Sequence, residues 1–268
     1  MARGWKIGIG AAAGLGLLLA ALEWRRRGLP QTPGMAMQGS ATKAKKPEHH
    51  FDRPEEFAVL CAKLETTYAA MNERFRALMH TRTEKSEELD DAGKTIGGQI
   101  EVSDVDFHEE KERYQSKSRT DLEGKPLGEP GMLEKMLQSQ RTPLIYPFSL
   151  APDAKKTDYS YSFAGMEMLD DEGPLAKVAY EPNPPLDRKL AGFIWVDPDS
   201  GEPRRFFGKQ AKPAFPIDRR EMMVYYATAD NGQPQIQRVE SLGSGGFAIL
   251  RKNLRVNVAF TDYRPKTK

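Results

Sequence analysis

From residue 157 to its end, the chain consists of short segments in which apolar and polar residues alternate, separated by turn residues. The segment DYSYSFAG places Tyr159, Tyr161 and Phe163 at every second position, with serines between them. The last such segment, NLRVNVAFTDY, alternates in the same way. This period of two is typical of a β-strand with one buried face, because successive side chains of a strand point to opposite faces. The second half of the chain is therefore predicted to form strands joined by hairpin-length turns.

The hairpin at residues 191–209, AGFIWVDPDSGEPRRFFGK, carries the strongest turn signal. An apolar run ends at Asp197, and a second strand restarts at Arg204. Between them, Pro198 has a fixed φ, the Asp and Ser side chains can bond nearby backbone, and Gly201 can adopt a positive φ. The segment also resembles the start of a calcium-binding loop, but an EF-hand loop has glycine at position six and glutamate at position twelve. Here glycine is fifth and Gly208 is twelfth, so we interpret the segment as a turn.

The region before these strands is predicted to begin with a helix over residues 54–73. Pro54 suits the first turn of a helix, and apolar residues from Phe57 to Met71 recur at three- and four-residue steps. Strands are predicted at 74–84, 95–107 and 110–122, and a second, short helix at 132–140. Counted with the later segments, roughly eight to eleven strands imply a large antiparallel sheet, which must curl or close. The fold class is therefore mainly β (α+β).

The N-terminus predicts a membrane segment. Ile7–Leu22 is free of charged residues, and as a helix it would reach roughly 24 Å, short of the ~30 Å hydrocarbon core. Trp24 and Arg25–Arg27 can sit at the interface and extend this span. We interpret it as an uncleaved anchor, because no small-residue cleavage site follows closely. The alternatives are a cleaved signal peptide and a helix lying on the inner leaflet with a cytoplasmic domain.

Composition and charge fit the same organisation. The predicted divisions are an anchor or signal segment at 1–27, a flexible tether at 28–53 rich in Pro, Gly, Ser, Lys and Met, and a β domain at 54–268. The chain has 40 basic and 38 acidic residues, so its net charge of +2 gives no reason to expect a nucleic-acid partner. With one cysteine, no disulfide can form within the chain.

The residues that could support catalysis do not form a known constellation. The glycine-rich SLGSGGF at 241–247 is flanked by strands, whereas a phosphate cradle needs a following helix. Cys61 falls in the apolar stripe of the predicted helix, and His80 and His108 are isolated in predicted strands. The pair His49–His50 supplies two ligands only, in a segment without fixed geometry. We therefore predict no enzyme activity and no catalytic, cofactor or metal site.

A set of large apolar residues on the predicted strands is the remaining candidate for function. Met and aromatic side chains suit an adaptable surface that accepts acyl chains. The alternative interpretation is that they form ordinary core under the two helices. The predicted ligand cavity consists of Phe193, Trp195, Tyr159, Tyr161, Phe163, Met223 and Tyr225.

Four segments resemble the bacterial outer-membrane lipoprotein-sorting group, the LolA/RseB-like fold family. They are DLEGKPLG (121–128), MLDDEGPLAKVAYEPNPP (168–185), GFIWVDPDSGEPRRFFGKQAKPAFP (192–216) and LRVNVAFTDY (254–263). The resemblance covers about residues 54–265 and centres on the turn motif. Only Trp195 and Arg205 map onto the family pattern.

The resemblance implies an incomplete antiparallel barrel with one or two helices over its concave face, and an apolar cavity for acyl chains. We assign the Phe193/Trp195 side of its strand to that face. The implied partner is a lipid or lipoprotein acyl chain, in transport or sensing at the cell envelope. The LolA-type carriers are cleaved and soluble, whereas this chain is predicted to stay tethered at the inner membrane with a periplasmic domain. The alternative function is a protein-interaction or envelope-stress sensor module, as in RseB-like proteins, with an envelope protein as partner.

Overall fold

The computed structural model describes residues 49–108, 111–129, 159–169, 172–186, 189–212, 217–229, 231–247 and 250–266. Its one described helix is α1, Pro54–Ala77. Pro54 occupies the first turn, Glu55 and Glu56 follow it, and Arg74 and Arg76 lie in the last turn. These charges match the helix dipole at both ends. The predicted helix over 54–73 is thus confirmed, and it continues for four more residues.

The described residues form ten strands in a single antiparallel sheet. Their order in the sheet is β3-β2-β1-β10-β9-β8-β7-β6-β5-β4, so β10 returns to lie beside β1 and the edges are β3 and β4. The strands are β1 Leu78–Leu89, β2 Thr95–His108, β3 Lys111–Asp121, β4 Tyr159–Leu169, β5 Gly173–Pro182, β6 Leu190–Val196, β7 Pro203–Gln210, β8 Ile217–Thr228, β9 Pro234–Phe247 and β10 Leu250–Pro265.

Helix α1 packs across one face of this sheet, from β4 at one edge to β2 near the other. Three aromatic pairs mark its path: Phe57 with Phe163, Tyr68 with Tyr226, and Phe75 with Phe107. The buried side chains of α1 share one core cluster with residues of β2 and of β5 to β10. One helix can contact so many strands only if the sheet curves around it. The predicted large curved sheet with a helix over its concave face is confirmed.

Two predictions along the chain are corrected by the structure. Residues 74–77 belong to α1 and not to the first strand, because Phe75 continues the apolar face of the helix into the core. The glycine-rich segment 241–247, predicted to be flanked by strands, lies itself within strand β9, paired with β8 and β10. The predicted helix at 132–140 and the predicted anchor at Ile7–Leu22 lie outside the described residues.

Among the described residues, no helix has the length and the apolar character needed to cross a membrane.

Candidate functional site

The two faces of the sheet differ in what covers them. We call the face under α1 the concave face and the opposite one the convex face. Strand β6 separates them clearly: Ile194 and Val196 are fully buried in the core cluster with α1, so Phe193 and Trp195 point to the convex face. Cross-strand pairing carries this division into β5, β7 and β8.

The middle of the concave face is filled by α1. Leu60, Leu64 and Tyr68 are buried there, and the Tyr68 and Tyr226 hydroxyls are hydrogen-bonded at 3.1 Å. A cavity between α1 and strands β9 and β10, which Phe75 and Ile236 help to line, has a volume of about 20 Å³. That volume suits one water molecule, whereas small-molecule sites occupy roughly 300–1,000 Å³. An acyl chain therefore does not fit in this cavity, which lies against the C-terminal part of α1.

An apolar strip runs along the concave side of edge strand β4. Its members, which we call the β4 strip, are Tyr159, Tyr161, Phe163, Met166 and Met168. The three aromatic residues are half-buried against the core, while Met166 and Met168 are 44% and 69% exposed. All five face the same way because a bulge after Phe163, at Gly165 with φ +110°, shifts the alternation by one residue.

The N-terminal end of α1 borders this strip. The Phe163 ring contacts the rings of Phe51 and Phe57, with centroids 5.6 and 6.5 Å away. Phe51 precedes the helix, in the segment predicted as tether, yet it is buried. Sequence reasoning did not include Phe51, Met166 or Met168 in the cavity. An apolar residue three positions ahead of the helix start was the available signal for Phe51.

Four of the predicted cavity residues lie on the convex face, away from α1. These are Phe193, Trp195, Met223 and Tyr225, and their placement under the helix was wrong. The physical reason is that β6 and β8 are apolar on both faces, so alternation alone does not say which face the helix covers. The aliphatic face of β6 packs against α1, and the aromatic face is covered by charged side chains instead. The structure brings together only Tyr159, Tyr161 and Phe163 on the concave side.

Charged side chains cover these convex aromatic rings. The Trp195 indole N–H donates to Glu167 at 3.1 Å, and Lys177 Nζ donates to the same carboxylate at 2.8 Å. Lys177 Nζ also lies 4.5 Å from the centre of the Phe193 ring. Burial raises the pKa of Glu167, but the bonds from Lys177 and Trp195 outweigh it and the pKa is lowered.

Around Tyr225 the same arrangement repeats with arginines. Arg238 lies 4.1 Å and Arg205 5.8 Å from the ring centre, and the Tyr225 hydroxyl donates to Glu240 at 3.2 Å. Arg205 in turn donates to Glu172. The cations and carboxylates satisfy one another, so this face is a closed network of ion pairs and cation–π contacts rather than an apolar cavity.

The hairpin turn between β6 and β7 supports α1. The predicted strand–turn–strand is confirmed, with Gly201 at φ +76°. Asp197 accepts hydrogen bonds from the backbone N–H groups of Asp199 and Ser200, as expected of a turn aspartate. Burial opposes ionisation of Asp197, yet these bonds lower its pKa. The Asp199 carbonyl accepts from Lys63 Nζ at 2.8 Å, which ties the turn to the helix.

Cys61 and His80, two of the titratable residues considered as catalytic candidates, are placed by the packing of the fold. Burial, and then the charge of Glu65, raise the pKa of the Cys61 thiol to about 11, which disfavours the reactive thiolate. His80 lies in the core, with its ring 4.6 Å from that of Phe75. Among the described residues, no three His, Cys, Asp or Glu side chains are grouped so that they could hold a metal ion.

Comparison with known proteins returned solved structures only. No protein-family model matches the chain, and no curated protein matches it. A LolA superfamily protein from Nitrosomonas europaea is 12% identical with a TM-score of 0.32, and the match covers 79% of this chain and 94% of that one. A DUF1329 family protein from Desulfovibrio piger is 11% identical with a TM-score of 0.37, covering 78% and 93%.

A third similar structure is MucB in complex with MucA(peri), at 10% identity and a TM-score of 0.21, covering 79% of this chain and 99% of that chain. At these identities and TM-scores, the function has to be argued from the residues of this chain.

Proposed function

We propose that this chain binds an acyl chain of a lipid or lipoprotein at the bacterial cell envelope, without catalysis. The observation that carries the proposal is the β4 strip: apolar side chains on the concave face, continuous with the core, with Met166 and Met168 still exposed. Transferring each CH₂ of an acyl chain from water to such a surface is worth up to about 0.8 kcal/mol. A chain of ordinary length can therefore bind without directed polar contacts.

The binding position follows from the packing of α1. The centre of the helix fills the concave face, whereas its N-terminal end meets the β4 strip at the ring of Phe163, through Phe51 and Phe57. An acyl chain lying along β4, from Tyr159 towards Met168, would extend this apolar contact without displacing the buried part of α1. The ligand then covers the two exposed methionines, which suit irregular apolar partners.

The predicted location follows from the N-terminal segment. With Ile7–Leu22 as an uncleaved anchor, the domain would face the periplasm from the inner membrane and accept its ligand locally. With that segment cleaved, it would act as a soluble periplasmic protein. N-terminal sequencing of the native protein distinguishes the anchored form from the cleaved one. A mature N-terminus between Met35 and Thr42 means that the segment is cleaved.

A photoreactive palmitate analogue tests the proposed site on the full chain in native membranes. We expect saturable labelling within residues 159–169, competed by unmodified palmitate. Met168→Gln should reduce labelling about tenfold, because the loss of one buried apolar contact of ~1.4 kcal/mol corresponds to that factor. Ile96→Gln is the matched control, since Ile96 is 62% exposed on the distant strand β2. Absent or non-saturable labelling, or equal effects of the two substitutions, would overturn the proposal.

The alternative function is a protein-interaction or envelope-stress sensor module, and the same strip gives it one supporting observation. Met168 is the most exposed of the large apolar side chains on the described residues. Exposed apolar side chains also occur at protein interfaces. An envelope protein recovered by crosslinking from a photoreactive amino acid at position 168, together with no palmitate labelling, would favour this alternative.

A further inference from the structure

Strand β8 carries two adjacent arginines that lie on opposite faces of the sheet. Met222 is buried in the core cluster with α1, so the alternation along β8 places Arg220 on the concave face and Arg219 on the convex face. Arg219 donates to Glu221 at 2.8 Å. The two arginines therefore share a strand and a side-chain type, but their environments differ.

Arg220 has no partner for its charge among the described residues. Its side chain is half-buried, and its Nε atom is fully buried without a hydrogen-bond partner. Burial lowers the pKa of Arg220, and no carboxylate in the described part of the chain counteracts this effect. A buried charge without a partner costs free energy of folding. An arginine kept in such a position is typical of a residue that binds a ligand.

Small and apolar residues surround Arg220 on the concave face. Gly243, of the glycine-rich segment, is its partner on β9, so no side chain extends over the sheet from that position. On the next strand, Gly243 pairs with Leu254, which is buried. Apolar surroundings strengthen an electrostatic contact between the guanidinium group and an anion, because little water is present to screen it.

On the other side of Arg220, strand β7 supplies a second polar group. Lys209 pairs with Glu221, so the next position along each strand brings Gln210 beside Arg220 on the concave face. The Oε1 atom of Gln210 is also buried, and it has no hydrogen-bond partner among the described residues. A ligand group with negative oxygens and a hydroxyl satisfies both side chains. Its oxygens accept from the guanidinium, and its hydroxyl donates to Gln210.

We propose that Arg220 and Gln210 form a binding site for a phosphate group on the concave face. A phosphate that keeps one proton carries both the negative oxygens and the hydroxyl, and it occurs as inorganic phosphate or as the monoester head group of a lipid. Gly243 contributes by leaving the space opposite Arg220 free of a side chain. The proposal does not rest on acyl-chain binding along β4.

Thermal unfolding of the full chain in non-ionic detergent tests the site with inorganic phosphate, dodecyl phosphate and dodecanol. We expect dodecyl phosphate to raise the Tm saturably, and by more than dodecanol, which has the same tail without the charge. Arg220→Met should weaken this binding at least about tenfold, because a hydrogen bond to a charged group is lost. Arg219→Met is the matched control, since it removes the same charge from the convex face, and it should leave the binding unchanged.

The three ligands also distinguish the two sources of phosphate. A rise in Tm with dodecyl phosphate alone assigns the site to a lipid head group, and an equal effect of inorganic phosphate assigns it to the free anion. No effect of either phosphate, an effect of dodecyl phosphate that dodecanol reproduces, or an effect that Arg220→Met retains would overturn the proposal.

The protein without ligand gives a second readout. Arg220→Met removes an unpaired charge and keeps an apolar side chain, so the urea midpoint should stay the same or rise. An arginine that only stabilised the fold would instead lower the midpoint when replaced, and that result would count against the site. Gln210→Leu should weaken phosphate binding less than Arg220→Met, because it removes a bond from a neutral group.

Discussion

Gly201 lies directly against Lys63: a Cβ atom added to Gly201 would be 2.4 Å from the Cβ of Lys63. It would also be 3.1 Å from the Lys63 carbonyl carbon, so helix backbone, not only a flexible side chain, blocks the space. The turn between β6 and β7 thus approaches α1 more closely than any other residue type allows. The turn motif holds the helix in position over the concave face.

We expect Gly201→Ala to lower the free energy of unfolding by about 2–4 kcal/mol. Positive φ accounts for roughly 1 kcal/mol, and displacement of α1 for the rest. Gly232→Ala is the matched control, because Gly232 has the same φ of +76° but nothing within 4 Å of its added Cβ. The free energy of unfolding that Gly232→Ala loses should stay near 1 kcal/mol, measured by urea unfolding of the full chain. Equal losses for the two variants would show that the helix contact contributes nothing.

The hydroxyls of Tyr68 and Tyr226 should be energetically coupled. They are 3.1 Å apart in the core, and one hydrogen bond between neutral groups contributes about 0.5–1.5 kcal/mol to stability. Tyr68→Phe and Tyr226→Phe should each destabilise by about that amount, while the double variant loses less than the sum. Chemical denaturation of the three variants gives a coupling energy of roughly 1 kcal/mol. Additive losses would mean that each hydroxyl is satisfied elsewhere.

Much of this fold was predictable from the sequence. Alternation located the strands and turn residues separated them, and the helix was marked by Pro54 and its apolar stripe. The last turn of α1 was missed because Arg74 and Arg76 do not extend the apolar stripe, although Phe75 does. The glycine-rich segment 241–247 was predicted to lie between strands, yet it is itself part of β9 and pairs with β8 and β10. Local patterns do not contain such long-range pairing.

The candidate site was predicted less well, for a physical reason that β6 shows. Phe193 and Trp195 alternate with Ile194 and Val196, so both faces of the strand are apolar and either could face the helix. The residues on neighbouring strands decide which face of β6 the helix covers. Lys177 of β5 and Glu167 of β4 cover the aromatic face. Neither the pairing register nor the bulge at Gly165 that aligns Met166 with Phe163 can be read from one strand alone.

His80 should make the fold sensitive to acid. Its side chain is fully buried among Phe75, Phe260 and Tyr263, and neither ring nitrogen has a hydrogen-bond partner among the described residues. Burial, then the charges of Arg82 and Arg264, lower its pKa from 6.5 to about 4, against an opposing effect of Asp104. The neutral ring is therefore the form that the folded state favours.

The direction of the pH effect follows from that difference in pKa. Between pH 6.5 and about 4 the unfolded chain binds more protons, so stability falls as the pH is lowered through this range, by roughly 3 kcal/mol from His80. His80→Phe should remove this part of the pH dependence in urea titrations at several pH values. His108→Phe, at the exposed end of β2, should leave it in place. An unchanged slope in His80→Phe would contradict the assignment.

Tryptophan fluorescence should separate the two faces of the sheet. In a Trp5→Phe, Trp24→Phe background, Trp195 is the single tryptophan. It lies on the convex face, bonded to Glu167, so saturating palmitate should leave its emission unchanged. Moving the reporter with Trp195→Phe and Phe163→Trp places an indole in the β4 strip, where the same titration should shift the emission saturably. A palmitate response from Trp195 and none from position 163 would move the binding site to the convex face.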